Sequence, residues 1–283
     1  MSHALEWDGR GPIQSVDSVR RPDDSEVLVA VGHVLCESAS VAKALSAVGI
    51  VEQAGSLSGL SVGDPVVCAT DQIASHLTLA AQQCLPISGV ATSEALLMPP
   101  VAGVLKLMEN IKADLGWTAI ISGDGLIADL TAQVAGVSGA RQVLRVHKEE
   151  VEAVDSTGND VEESPDLLAS KLAEASGPIV GIDTTAHPTE IQGLLSTLPV
   201  RSTCALHGGA GGGVSAINFY LDVHRKNIRI LGNSASLTIQ HLQRARAFVE
   251  SGRLQRHDWP ATSARANEVP NIPMDSAYTL EWA

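Results

Sequence analysis

The stretch "IISGDGLIADLTAQVAG", from Ile120 to Gly136, decides the fold. An apolar β-branched run leads into a glycine turn and then into apolar residues at helical spacing, which predicts a strand, a turn and a helix. Gly123, Gly125 and Ala128 match the spacing G-x-G-x-x-G/A. In a dinucleotide-binding turn the first glycine permits the tight bend, the second lets the backbone approach a pyrophosphate, and the third small residue lets helix and strand pack closely. A bland turn between strand and helix is the alternative.

Segments of the same two kinds alternate along the rest of the chain. The first eighty or so residues predict β structure only, and Ser93 is a plausible N-cap for a helix over "SEALLMPPVAGVLKLMENI". From there strand-like and helix-like runs alternate, which predicts βαβ units and a parallel sheet. The predicted strands are "TAIISG", "QVLRV", "PIVGID", "STCALHG" and "NIRILGN", and the predicted helices are "LIADLTAQVAG", "SPDLLASKLAEA", "TEIQGLLSTL" and "TIQHLQRARAFVESG". A final strand is expected in "YTLEWA".

Composition restricts the classes of partner. Hydrophobic residues make up 45% of the chain and aromatic residues 3%, so the core is expected to be aliphatic, as in a buried parallel sheet. The formal net charge of −13 repels phosphate backbones and argues against nucleic acid. Eight acidic residues and no basic one occupy "EEVEAVDSTGNDVEESPD" (149–166), which we interpret as a solvated surface segment. No run approaches a membrane span and the first residues do not resemble a signal peptide, so a soluble, cytoplasmic protein is expected.

The spacing of the four cysteines does not indicate a disulfide or a zinc site. Cys36, Cys68, Cys84 and Cys204 are far apart in sequence, with no C-x-x-C pair. Neither a set of disulfides nor a zinc knuckle is indicated, and reduced thiols are expected.

Four segments in order resemble the medium-chain dehydrogenase/reductase family, the zinc alcohol and polyol dehydrogenases. They are "EVLVAVGHVLCESAS", "GIVEQAGSLSGLSVGDPVV", "GDGLIADLTAQVAGVSGARQVLRV" and "KNIRILGN". The resemblance covers nearly the whole length and implies a Rossmann doubly wound parallel sheet inserted in a shortened GroES-like β domain. The expected boundaries are 1–88, joined by the returning 237–283, for the GroES-like domain and 89–236 for the dinucleotide-binding domain.

The zinc ligands that this resemblance would imply are mostly missing. Only Cys36 stands at a matching place; the His-Glu pair falls near Ala47, Val48 and Gly49, and an acidic ligand is replaced by Met98. One thiolate cannot hold zinc, so no zinc is expected and Cys36 is interpreted as a relic or packing residue. The four-cysteine structural zinc lobe is absent as well.

Without zinc another group must polarise a carbonyl or accept a proton. Ser38 matches a proton-relaying residue of relatives. The candidate catalytic residues are therefore Ser38, Cys36 and His33, with His76 as an alternative. For both histidines, a surface or core residue without a chemical role is the favoured interpretation.

On the cofactor side, relatives that prefer NAD carry an acid about 20 residues beyond the turn, to hold the ribose. Here Arg145, His147 and Lys148 occupy that region, and the positive charge of this basic cluster favours NADP. The alternative is that the acidic residue was lost together with cofactor binding. Strand ends supply further candidates, and "GGAGGG" (208–213) is either a ligand-side loop or a flexible connection. The predicted cofactor-binding residues are Gly123, Asp124, Gly125, Leu126, Ile127, Arg145, His147, Lys148, Asp183, Thr184, His207 and Gly208.

Two functions remain open from the sequence. The first is a zinc-independent NAD(P)-dependent oxidoreductase acting on an alcohol/ketone pair, such as a polyol, sugar or cyclitol, or on an activated double bond. The second is a non-redox descendant, either a redox-neutral catalyst or a partner subunit. A homodimer is expected from the resemblance, since "NIRILGN" is apolar enough to pair with a second copy, and no membrane or nucleic-acid partner is expected.

Overall fold

A computed structural model describes residues 2–7, 12–17, 19–38, 41–147, 150–154, 160–163, 167–175, 177–207, 216–233, 237–255, 262–265 and 277–282. The chain divides into two compact units. The first comprises Met1–Ala102, Ser236–Gly252 and Arg256–Ala283, and therefore takes in both ends of the chain. The second comprises Gly103–Ala235 and Arg253–Gln255.

From Thr92 onward the helices and strands follow one another in the predicted order, with strands over Glu150–Val154, Asp160–Glu163 and Thr262–Arg265 in addition. The strands are β1 (Ser2–Trp7), β2 (Pro12–Asp17), β3 (Glu26–Ser38), β4 (Val41–Ala54), β5 (Pro65–Cys68), β6 (His76–Ala80), β7 (Cys84–Pro86), β8 (Thr118–Ser122), β9 (Gln142–His147), β10 (Glu150–Val154), β11 (Asp160–Glu163), β12 (Ile179–Asp183), β13 (Thr203–Leu206), β14 (Arg229–Gly232), β15 (Thr262–Arg265) and β16 (Tyr278–Glu281). The helices are α1 (Thr92–Ile111), α2 (Gly125–Val137), α3 (Leu167–Glu174), α4 (Pro188–Thr197) and α5 (Ile239–Glu250).

The first unit is built on a sheet with the order β15-β16-β3-β4-β5-β7, in which β6 also pairs with β3. Its pairs are antiparallel except for β15 and β16, which are parallel. Val27, Val29 and Val31 alternate along β3 and are buried in its core. This alternation is the period-2 pattern of a β-strand, and Leu28 on the opposite face is buried as well. The prediction that the chain begins with β structure is confirmed, and so are the closing helix and strand.

The second unit contains the parallel sheet. β9, β8, β12, β13 and β14 lie side by side in that order and are parallel. The chain passes from β8 outward to β9 and then returns to the other side of β8 as β12. Ligands of open α/β sheets bind at such a switch point, outside the carboxyl ends of the strands. The expectation of an α/β fold with a Rossmann sheet and a GroES-like β domain is confirmed.

One local prediction was incomplete and another was wrong. The acidic segment is not merely a solvated stretch, because β10 pairs antiparallel with β9 and β11 with β10, so that they extend the sheet. Alternating acidic and apolar residues in "EVEAV" fit a strand, and only two residues separate β9 from β10, too few for the crossover that a parallel strand needs.

The predicted N-cap of α1 was wrong. The N–H groups of Glu94 and Ala95 donate to the carbonyl of Ala91 at 3.0 and 2.9 Å, so α1 begins before Ser93.

Candidate functional site

The two glycines of the turn between β8 and α2 lie in different surroundings. Gly123 has φ +124°, and a Cβ there would collide with the Thr184 hydroxyl and the Thr185 methyl group of the loop after β12. Gly125 has φ +77°, and a Cβ there would enter open space. Gly123 is therefore required by packing within the protein, whereas the space beside Gly125 is available to a ligand.

The first turn of α2 presents backbone donors at this place. Asp124 is the N-cap residue in an extended conformation, and its side chain caps none of the first N–H groups of the helix. Leu126 and Ile127 bury their side chains, being 4% and 8% exposed, so only their backbone can face a ligand. The N–H groups and the positive end of the helix dipole together suit a phosphate.

Asp183 and Thr184 hold the neighbouring loop in shape. The buried Asp183 carboxylate accepts hydrogen bonds from the N–H and hydroxyl of Thr185 at 3.1 and 2.7 Å and from the N–H of Ala186 at 3.1 Å. The Thr184 hydroxyl donates to the carbonyl of Ser122 at 2.9 Å, which ties this loop to the end of β8. Both side chains therefore fix the loop against the glycine turn.

His207 follows β13 and takes part in a chain of hydrogen bonds. Asn233 Nδ2 lies 3.2 Å from the Gly103 carbonyl oxygen and 2.8 Å from His207 Nδ1, while Asn110 Nδ2 donates to Asn233 Oδ1 at 2.9 Å. The Gly103 carbonyl can only accept, so the Asn233 atom facing it must be the nitrogen, and that nitrogen also donates to His207 Nδ1. The imidazole is therefore neutral, with its proton on Nε2.

Burial acts in the same direction on this ring. It lowers the pKa of His207 from 6.5 to about 4, because the charged form is disfavoured away from water. Among the described residues, the ring has one hydrogen-bond partner, Asn233. His207 Nε2–H is thus a fixed neutral donor at the carboxyl end of β13. Sequence reasoning found His207 from its place at a strand end but missed Asn110 and Asn233; the position of Asn233 directly after β14 was the available signal.

The predicted basic cluster is only partly described. Arg145 Nη1 forms an ion pair with Asp129 Oδ1 of α2 at 3.0 Å, and the two side chains are 16% and 29% exposed. A neighbouring carboxylate therefore already neutralises much of the charge expected to receive a 2′-phosphate. For His147 the structure describes the backbone alone, as the last residue of β9, and Lys148 and Gly208 lie outside the described residues.

The candidate catalytic residues of the first unit do not gather into one cluster. Cys36 is fully buried opposite Tyr278 of β16, and burial raises the pKa of its thiol to about 12. His33 is 37% exposed, with Nε2 3.6 Å from Glu281 Oε1. His76 Nε2 lies 3.6 Å from Glu52 Oε2. Ser38 ends β3, and the structure describes its backbone alone.

The residues at the family's zinc position do not fit a zinc ion. Cys36 supplies one thiol at this position, whereas zinc needs three or four nitrogen, oxygen or sulfur ligands. Ala47 and Val48 carry aliphatic side chains, and Met98 is buried within the protein. Across the part of the chain that the structure describes, no group of three His, Cys, Asp or Glu residues could hold a metal ion.

Comparison with known proteins was informative at the level of structure alone. No family model matches the chain, and no curated protein matches it. Galactitol-1-phosphate dehydrogenase from Escherichia coli superposes with a TM-score of 0.74 at 14% identity, covering 99% of this chain and 100% of that chain. A short chain alcohol dehydrogenase (rspB) from E. coli CFT073, complexed with NADH, gives 0.72 at 13% identity and 99% of each chain. CurK enoyl reductase gives 0.71 at 14% identity, with 100% of this chain and 99% of that chain covered.

These solved structures are medium-chain dehydrogenases/reductases, and the chain has their fold. At such identities the likeness shows the fold and carries no residue roles with it. Among the described helices, none is long and apolar enough to cross a bilayer.

Proposed function

We propose that this protein is a zinc-independent oxidoreductase that uses a nicotinamide dinucleotide, with NADP preferred over NAD. The observation that carries the proposal is the space beside Gly125, next to the N-terminal N–H groups of α2 and at the switch point of the parallel sheet. A pyrophosphate requires this combination of close backbone approach and unpaired donors. The solved NADH complex of a protein with the same fold supports it.

In this proposal the residues of the chain hold and orient the nucleotide, which would supply or accept a hydride when bound. Gly125, Leu126 and Ile127 contact the pyrophosphate through their backbone, and Asp124 enters the site as the N-cap residue. Asp183 and Thr184 keep the loop after β12 against the turn. His207 offers its Nε2–H to the nicotinamide half or to a substrate carbonyl.

The substrate proposed is an alcohol/ketone pair, with polyols, sugars and cyclitols as the first candidates, or an activated double bond. The names of the structural neighbours include an alcohol dehydrogenase, a galactitol-1-phosphate dehydrogenase and an enoyl reductase, which supports both reaction types. The absence of zinc is part of the proposal, because one cysteine, Cys36, stands where three or four zinc ligands are needed. Ser38 and His33 remain the proposed proton-transfer groups.

A non-redox descendant is the second candidate. It is favoured by the ion pair of Arg145 with Asp129 and by the full engagement of the Asp183 carboxylate in its own loop. Both arrangements give these side chains a role in the fold alone. A redox-neutral catalyst or a partner subunit would keep the fold without needing either side chain to contact a nucleotide.

Hydride transfer separates the two candidates. The purified chain is mixed with NADPH and a set of ketones, aldehydes and enoyl thioesters, and with NADP and the corresponding alcohols, while nicotinamide absorbance is followed. We expect turnover with at least one class, unchanged by a metal chelator. Turnover that a chelator abolishes and zinc restores would contradict the zinc-free proposal, and nucleotide binding without turnover on any class would favour the non-redox candidate.

We further propose that 89–236 carries the dinucleotide-binding function and that the protein is a homodimer. Within the described residues β14 pairs on one side only, with β13, and Ile230 on this strand is 37% exposed. A half-paired strand with an exposed apolar side chain is suited to extending the sheet into a second copy.

A further inference from the structure

Cys68 and Cys84, sixteen residues apart, lie directly opposite each other on β5 and β7. The next pair along these strands, Ala69 and Gln83, is hydrogen-bonded, with the Ala69 N–H donating to the Gln83 carbonyl at 3.0 Å. Hydrogen-bonded and non-hydrogen-bonded pairs alternate in an antiparallel ladder, so the two cysteines form a non-hydrogen-bonded pair. In such pairs the Cα atoms are only about 4.5 Å apart and the side chains are closest.

The two sulfur atoms are in van der Waals contact. Cys68 Sγ and Cys84 Sγ are 3.5 Å apart, and both residues are buried, with 0% and 1% of their surface exposed. A disulfide accepts Cα separations of about 4.4–6.8 Å, so the expected backbone spacing falls within its range. Closing the bond requires the sulfurs to approach by roughly 1.5 Å, which small side-chain rotations can supply.

A surface cavity of about 530 Å³ gives a route to this pair. Cys84 lines it, together with Leu57, Leu60, Ala81 and Gln243. Its volume lies within the range of about 300–1,000 Å³ that accommodates small organic molecules. Cys68 does not line the cavity, so a reagent in the cavity reaches Cys84 first.

We propose that Cys68 and Cys84 are a reversible oxidation site, with Cys84 as the attacking thiol and a small-molecule disulfide in this cavity as its substrate. The Cys84 thiolate attacks one sulfur of the small disulfide, forming a mixed disulfide and releasing one small thiol. Cys68, as thiolate, then attacks the Cys84 sulfur and releases the second small thiol. The two protein thiols are oxidised to a disulfide, and the small disulfide is reduced to two thiols.

The rate of this exchange has a predictable pH dependence. The contact with Cys84, and then burial, raise the pKa of the Cys68 thiol well above its usual value. Because the thiolate is the reacting species, closure is expected to be slow at neutral pH and faster as the pH rises.

Oxidised glutathione is the probe. The full-length protein is incubated with it at mildly alkaline pH, free thiols are blocked, and the chain is cut with a protease that cleaves before aspartate. Cleavage at Asp64, Asp71 and Asp114 places Cys68 in peptide 64–70 and Cys84 in peptide 71–113. We expect these two peptides to be joined, two of the four thiols to be lost, and a reductant to reverse both changes.

Two variants sharpen the test. Cys204→Ser removes a buried thiol of the second unit and should leave the Cys68 to Cys84 bond unchanged. Cys68→Ser should stop the reaction at the mixed disulfide, so that peptide 71–113 retains one glutathione. The proposal is overturned if all four thiols of the wild-type protein stay free, or if a bond forms instead to Cys36, to Cys204 or between two chains. The wild-type peptide map decides the question even if a variant fails to fold.

Discussion

Replacing Gly125 with valine is expected to abolish dinucleotide binding while leaving the fold largely intact. At φ +77° a β-branched residue is strained, at a cost of about 1–3 kcal/mol in the free energy of unfolding. Nothing in the described protein lies within 4 Å of the added Cβ, so no internal clash adds to that cost. The isopropyl group instead fills the space in which we place the pyrophosphate.

The loss of affinity can be set against this strain. Each hydrogen bond from a backbone N–H to a charged phosphate contributes about 1.5–3 kcal/mol. Losing two of them corresponds to about 3–6 kcal/mol, or a dissociation constant raised roughly 10²- to 10⁴-fold. The expected loss of binding free energy therefore equals or exceeds the largest cost of strain to folding.

Gly116 provides a matched control in the same unit. It has φ +87° and open space around its missing Cβ, but it precedes β8 at the opposite end of that strand. Gly116→Val should thus carry a similar strain without reaching the ligand. Affinities for NADP and NAD are measured by calorimetry, with thermal unfolding followed by circular dichroism.

The comparison of these two variants decides the question. If Gly125→Val weakens nucleotide binding no more than Gly116→Val does, the turn does not hold a pyrophosphate and the reasoning is wrong. Gly125→Ala, with a smaller side chain, serves if the valine variant unfolds.

Four further outcomes follow from the site. Replacing Arg145 and Lys148 by alanine in parallel should weaken NADP much more than NAD in calorimetry, because only NADP carries the extra phosphate; equal losses would exclude that contact. Elemental analysis of protein purified without chelator should find no stoichiometric zinc, and one zinc per chain would contradict the zinc-free proposal. The pKa of His207 is lowered on folding, so the unfolded state binds the extra proton between about pH 6.5 and 4, and stability should fall through that window by about 2–3 kcal/mol as pH decreases. His207→Gln should lose this part of the pH dependence of unfolding, and an unchanged profile would contradict the neutral, buried ring. Ile230→Lys should shift the dimer to monomer in light scattering, whereas wild-type protein that is already monomeric at micromolar concentration would refute the dimer itself.

The sequence was most informative where local geometry alone decides the structure. The glycine spacing predicted a turn whose two glycines both have positive φ, because that conformation is dictated within a few residues. The predicted strand ends at Asp183 and His207 also agree with the structure, in which Asp183 ends β12 and His207 follows β13. The strand pairing of 150–154 and 160–163 was missed because acidic composition was given more weight than the alternation of residues.

Contacts between distant residues could not be predicted in the same way. The tautomer of His207 depends on Asn233 and Asn110, which only the packing of α1 and β14 brings near the ring. Arg145 was expected to face a phosphate, yet it forms an ion pair with Asp129 of α2. Hydrophobic periodicity does not reveal such a pairing. The pairing of Cys68 with Cys84 depends on strand register, and one residue of slip would separate them.

The most direct test of the central claim is a calorimetric titration of the wild-type protein with NADP and with NAD. The space beside Gly125 and the N-terminal donors of α2 predict saturable binding of one nucleotide per chain. The basic residues Arg145 and Lys148, which stand where an acidic ribose ligand would be expected, predict that NADP binds more tightly than NAD. If neither nucleotide binds at millimolar concentration, the oxidoreductase proposal is wrong, and the redox-neutral or partner-subunit function takes its place.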